Sequence, residues 1–484
     1  MEQTDFETYI KNAGLEAKPH QSDAVAWMTG REKNDYEGVR GGIIADEMGL
    51  GKTIMMIGTM LANFHKRTLV VLPLALLKQW ESEIKRTTGY KPIVYHGSVK
   101  SYTTLAMLMA APVVLTTYGE ISLNNDPMAS SRIPSILHEI EWDRVIFDEA
   151  HHMRNKGSSM KKTSQKFIGG RSINAPIRWM ITGTPVQNRM SDIYALFEVL
   201  GFKYTVKPDE FIEACMLRRT KQEVGIYISK KVVEDIKVPW KHAKEEELAR
   251  DVHSLIPGNK TLGCSTEFTD ALIDSYYLGD MNSNFKMMVM LQRARQMCVY
   301  PALMKAKIEE LMDEGFMDDE DFIARGAMKC SSKLDAVCDK ILERKGNDNG
   351  KIVFCHYKME IDEIQRRLCV EGLDVKVIDG RTKKKERQGI LTGKCDVLIL
   401  QIQTGCEGLN LQQFNEVYFV TPHWNPAVED QAVARCHRIG QEKPVFIFKF
   451  SMVGTDEELL SRTLDSHVKG YQKSKRELYL LKKW

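Results

Sequence analysis

The apolar residues of this chain fall into short continuous runs that recur in two separate blocks, and no other feature limits the fold as much. In the first block the runs are Gly41–Ala45, Thr68–Leu72, Val113–Thr117, Arg144–Phe147 and Trp179–Thr182. The second block holds Lys351–Cys355, Asp374–Ile378, Asp396–Leu400, Glu416–Val420 and Pro444–Phe448. Unbroken Val/Ile/Leu runs separated by helix-length segments are what parallel strands covered on both faces require. The chain therefore reads as α/β, with two tandem parallel-sheet lobes at 1–205 and 331–484. A family-specific, mainly helical region without such strands joins them at 206–330. A length of 484 residues suits this division at about 150 residues per domain.

Hydrophobic residues make up 43% and charged residues 27%, the balance of a soluble globular protein. No apolar run approaches the ~18 residues of a membrane helix. Early acids at Glu2 and Asp5, with no apolar segment after them, argue against a secretion signal. None of the 10 cysteines lies at C-x-x-C spacing, which argues against a zinc ribbon or RING module. They read as small core hydrophobes in a reducing, intracellular compartment. Net charge is +3 from 68 basic and 65 acidic residues, so any nucleic-acid track has to be local. The acid-rich stretch Glu309–Asp321 reads as a solvated linker.

Asp46-Glu-Met-Gly-Leu-Gly-Lys-Thr53 follows the first apolar run and precedes a helical pattern. Strand, glycine loop and helix together are the setting of a phosphate loop. Gly49 and Gly51 free backbone N–H groups to close around phosphate oxygens at a helix N-terminus. Lys52 would reach the β and γ phosphates, and the Thr53 hydroxyl would hold Mg²⁺. Asp46 stands where the strict pattern has its first glycine. A second motif, Asp148-Glu-Ala-His151, ends the run Val145–Phe147. Carboxylates at the carboxyl edge of a parallel strand lie where open α/β sheets bind ligands. Asp148 would complete Mg²⁺ coordination and Glu149 would take a proton from the attacking water. Arg435 and Arg438, three residues apart, would share a helix face and supply positive charge opposite the γ phosphate. They belong to the other lobe, which would couple hydrolysis to lobe closure.

These residues, in this order, resemble the SWI/SNF-type double-stranded DNA translocases of helicase superfamily two. The resemblance also rests on Gln21, Leu72-Pro73 with Gln79-Trp80, Thr116-Thr-Tyr118, Thr182–Asn188, Met216–Lys221, Gly405–Leu411, Trp424-Asn-Pro426 and Arg435–Gln441. Details around Arg178 and Trp424 look most like the postreplication-repair and transcription-termination branch, without its RING insert. The resemblance implies two RecA-like lobes, ATP and Mg²⁺, and catalytic Lys52, Asp148, Glu149, Arg435 and Arg438. It carries nucleotide contacts to Gln21, Asp46, Met48, Gly49, Leu50, Gly51, Lys52, Thr53 and Gln441. It implies a monomeric motor on double-stranded DNA, with bound nucleosomes or polymerase as what is displaced. Its place would be the nucleus, or host cytoplasm and nucleus for a viral form.

Gripping a duplex without reading bases calls for phosphate contacts. The candidates are Lys78, Thr116, Arg189, Arg381, Thr404 and Trp424, with Trp424 more readily read as a packing residue. Cys406 and Glu407 replace residues that the family favours as glycines. Two other readings stay open: a strand-separating or RNA-stimulated helicase, and a nucleotide-binding scaffold without turnover.

Overall fold

The computed structural model describes residues 6, 8–11, 14, 16, 18–123, 135–154, 163–185, 191–203, 206–256, 270–272, 274, 283–316, 326–402, 409–454 and 463–481. The chain divides into two compact units, one running to Tyr227 and the other spanning Ile228–Leu481.

In the first unit, helix α1 (Pro19–Lys33) starts with proline in its first turn, where the missing N–H costs nothing. Strand β1 (Arg40–Ile44) then leads through the glycine loop into α2 (Lys52–Ala62). The remaining strands are β2 (Thr68–Leu72), β3 (Ile93–Tyr95), β4 (Val113–Thr117), β5 (Arg144–Asp148), β6 (Ile177–Ile181) and β7 (Met216–Leu217), with α3 (Leu77–Thr88) following β2. They form one parallel sheet in the order β3-β4-β2-β5-β6-β1-β7. Strands β2, β4 and β5 are buried along their whole length, as continuous apolar runs require. Glycine at 41 and 42 lets β1 sit tightly between its neighbours. A Cβ there would lie 2.0 Å from the Arg178 carbonyl oxygen or 2.3 Å from that of Cys215. A core of Val70, Leu72, Leu115, Ile146, Trp179 and the apolar faces of α1 and α2 covers one side of the sheet.

The second unit begins with β8 (Lys231–Pro239), then helices α4 (Ala243–Ser254), α5 (Ser283–Val299) and α6 (Ser332–Glu343). Strands β9 (Gly350–Cys355), β10 (Val375–Ile378), β11 (Val397–Gln401) and β12 (Phe414–Phe419) follow. Helix α7 (Pro426–Val433), strand β13 (Val445–Val453) and helix α8 (Leu464–Leu481) complete it. All six strands are parallel, in the order β10-β11-β9-β12-β13-β8. Apolar cores lie on both faces, one centred on Val353, Ile399, Tyr418 and the helices, the other on Phe354, Leu398 and Val417. Among the described residues no helix is long and apolar enough to cross a membrane.

The segment 206–330, expected to lack strands of this kind, contains β8, which pairs with β13 along nine residues. This strand escapes the continuous-run criterion because it is the sheet edge. Most of its positions are exposed, and Lys231, Glu234, Asp235 and Lys237 among them are charged, as edge strands tolerate. The short β7 likewise adds residues of that segment to the first sheet.

Candidate nucleotide site

Because β6 lies between β5 and β1, the first sheet brings three segments to one carboxyl edge: the glycine loop, the Thr182-Gly-Thr turn and the Asp148 motif. The loop takes its shape from two left-handed residues, Gly49 (φ 93°) and Gly51 (φ 87°), which L side chains disfavour. Gly51 also caps α2, directing that helix's N-terminal N–H groups at the loop. Gln21 and His20 lean on the loop from α1, with Gln21 Nε2 donating to the Leu50 carbonyl at 3.2 Å and His20 Nε2 3.1 Å from the same oxygen. A Cβ at position 51 would meet Gln21 Nε2 at 2.4 Å, so the glycine and the glutamine fit one another. Met48 packs on Gly183, where a Cβ would come within 2.9 Å of its Cγ and 3.7 Å of Lys52 Nζ.

Lys52 donates from Nζ to the Asp46 carbonyl at 2.7 Å and that of Glu47 at 3.3 Å. Burial pulls the lysine below the usual ammonium range, and the carboxylates of Glu149, Asp46 and Asp148 act against that pull. Asp46, expected among the nucleotide contacts, has a different task. Its fully buried carboxylate takes a fork of bonds from Arg219, with Nη2 to Oδ2 at 2.6 Å and Nε to Oδ1 at 3.2 Å. The Arg219 amide adds a bond to Oδ1 at 2.9 Å. Arg219 reaches on to the His20 carbonyl at 2.7 Å, and Lys221 pairs with Glu47 at 3.0 Å. The Leu-Arg-Arg-Thr-Lys segment is thus the rear wall of the loop, and Arg219 is a site residue that the sequence reading missed.

Asp148 is buried at the end of β5. Trp80 Nε1 donates to its Oδ2 at 2.7 Å, the Glu149 amide to its Oδ1 at 2.9 Å, and the Tyr118 hydroxyl to its carbonyl at 2.7 Å. Burial and the neighbouring Glu149 raise its carboxyl to about 6, against the lowering pull of Trp80, the amide and Lys52. Glu149 holds a left-handed backbone (φ 50°, ψ 50°), an uncommon conformation for a residue with a side chain. His151 Nδ1 lies 3.2 Å from Glu149 Oε2. His152 stacks between His151 and Tyr118, at ring distances of 4.8 and 5.2 Å, and is a packing residue. Thr53 occupies the first turn of α2.

In the second unit Arg435 and Arg438 follow α7, and burial together with the charge of Arg435 lowers Arg438. Gln441 is turned into its own unit. Its Nε2 faces the carbonyls of Gln412 (2.8 Å), Cys436 (3.3 Å) and Phe414 (3.4 Å), so here it braces the loop and presents no free amide to a nucleotide.

Several expected DNA contacts also change. Thr116 lies inside β4, fully buried, with its hydroxyl donated to the Tyr95 carbonyl at 2.9 Å, so it presents nothing to a phosphate. Arg381 is already paired with Asp362 (2.6 Å) and Asp379 (2.7 Å), which offsets its charge. Trp424 packs on the core and lies edge-on to Tyr471 of α8 at 6.4 Å, the packing alternative. Lys78 is exposed on α3. Arg189, Thr404, Cys406 and Glu407 fall outside the described residues.

Two parallel-sheet α/β units, one carrying a phosphate loop beside strand-end carboxylates, define the helicase-like ATPases. Within that class, the SNF2-related domain family matches residues 20–214 and the helicase conserved C-terminal domain matches residues 332–440. The chain belongs to the SNF2-related, helicase-like ATPases. It is 27% identical to a probable global transactivator of Orgyia pseudotsugata multicapsid polyhedrosis virus, over 92% of this chain and 87% of that one. It is 25% identical to the DNA repair protein RAD5B of Arabidopsis thaliana, over 87% of this chain but only 44% of the plant protein. The Pyrococcus furiosus Hef helicase domain shares the fold, with a TM-score of 0.54 at 17% identity, covering 95% of this chain and 98% of that one.

Proposed function

We propose that this protein hydrolyses ATP to move along duplex DNA and to displace or remodel proteins bound there. The observation that carries this reading is the convergence of Lys52, Asp148 and Glu149 on one sheet edge, where each acts on the others' charge. Lys52 and the loop amides bind the phosphates, and Gln21 steadies the loop from the side where the resemblance expects adenine. Glu149 takes the proton of the attacking water, with its left-handed backbone setting the direction of the carboxylate. Arg435 and Arg438 stabilise charge developing on the γ phosphate.

Thr53 and Asp148 are the residues that would hold Mg²⁺. The Asp148 carboxyl fits that role: it is buried, raised toward neutrality beside a second acid, and held in orientation by Trp80. When bound, Mg²⁺ supplies charge neutralisation at the β and γ oxygens. The family to which the chain belongs, and relatives named for DNA repair and transactivation, favour DNA as the track. Work on DNA suits the nucleus or, for a viral form, the host cytoplasm and nucleus. As a test, Lys52→Ala and Glu149→Gln should each abolish phosphate release while leaving the circular-dichroism spectrum intact. Substantial turnover by either variant would remove the assigned roles.

A further inference from the structure

We infer that His242, Glu245 and Cys330 form a zinc-binding clip in the second unit, joining the start of α4 to the start of α6. One nitrogen, one oxygen and one sulfur ligand atom from these residues all lie within 4.8 Å of one another. That set suits Zn²⁺, which takes His, carboxylate and thiolate ligands in tetrahedral sites and leaves a fourth position to water when the protein supplies three. Spacing in the sequence conceals the group, because 84 residues, by subtraction of 245 from 329, lie between the second and third ligands.

The scaffold is fixed on both sides. His242 is the N-cap of α4 and Glu245 stands one turn in, so both project from the same end of the helix. Cys330 immediately precedes Ser331, the N-cap of α6, and its amide is tied to the Ala327 carbonyl at 2.9 Å. Ser332 stitches the two helix starts together. Its Oγ accepts from the Lys241 amide at 2.9 Å and donates to Glu245 Oε2, while its own amide donates to Glu245 Oε1 at 3.2 Å. Such outer bonds to a ligating carboxylate are what holds a metal ligand in orientation.

Charge supplies the second argument. Glu245 is 2% exposed, and among the described residues it forms no ion pair within salt-bridge distance. A buried acid with no ion partner of its own, beside a partly buried thiol, is a donor pair suited to a divalent cation. On binding, the Cys330 thiol releases its proton to solvent and sulfur donates its electron pair to the metal.

The test uses the full chain, stripped with chelator and returned to buffer with excess Mg²⁺ so that the nucleotide site is occupied by its own metal. Zn²⁺ titrated against a chromogenic chelator should bind at one equivalent. Cys330→Ser and His242→Ala should each weaken it at least ~10-fold, the loss seen even for outer-shell changes. Co²⁺ in its place should show a thiolate charge-transfer band that disappears in Cys330→Ser and persists in Cys369→Ser. His242 is exposed, so its variant keeps the comparison usable even where Cys330→Ser fails to fold. Absence of a Zn²⁺ equivalent, unchanged affinity in His242→Ala, or a cobalt band that survives Cys330→Ser would overturn the assignment.

Discussion

Replacing Trp80 with Phe removes the indole N–H that Asp148 accepts at 2.7 Å while retaining most of the ring in a buried site. Two effects then separate by their pH dependence. Lost packing destabilises by about 1–3 kcal/mol at every pH. The lost hydrogen bond depends on the charge of Asp148: about 1.5–3 kcal/mol when the acceptor is a carboxylate, and about 0.5–1.5 kcal/mol when it is neutral. Asp148 sits at about 6 in the folded protein, above its ordinary 3.8. Below that value the folded state carries the neutral acid, and above it the carboxylate. The destabilisation caused by Trp80→Phe should therefore grow by about 1 kcal/mol as pH rises from 5 to 8. Urea unfolding of the metal-free protein at both pH values measures it. In an Asp148→Asn background the pH-dependent part should vanish, since no carboxylate remains to be lost. A destabilisation equal at pH 5 and 8, or unchanged in the Asn background, would refute the claim that Trp80 holds the acid.

Arg219→Ala leaves the buried Asp46 carboxylate without its guanidinium, and breaking such a pair costs about 3–5 kcal/mol. Urea unfolding should register that loss, and Arg219→Lys should recover only part of it because the fork geometry is gone. Arg381→Ala should change DNA affinity less than twofold in a salt titration, since Asp362 and Asp379 already engage that charge. A fall in the salt slope by about one phosphate contact would show that the pairing opens on DNA.

The parallel sheets were legible because burial on both faces leaves unbroken apolar runs, and the nucleotide loop because glycine and lysine spacing has a mechanical purpose. The partnership of Asp46 with Arg219 was not legible as chemistry. The two lie 173 positions apart, and only the pairing of β7 with β1 brings them together. Thr116 misled for a related reason: a run buried on both faces gives no alternation, so nothing marks which hydroxyls turn inward. Strand β8 was missed because its Lys, Glu and Asp residues answer to solvent at the sheet edge. Trp80 stood in the sequence only as part of a family motif, and the partner of its polar tip, Asp148, is not disclosed by composition.

The central claim is that a nucleotide engine in the first unit is driven by contact with duplex DNA. Phosphate release measured side by side with duplex DNA, single-stranded DNA, RNA and no polymer tests it most directly, using Lys52→Ala as the blank. Duplex DNA should stimulate release strongly, either single strand more weakly, and the blank should show none. Stimulation chiefly by RNA, or a rate indifferent to all three, would contradict it.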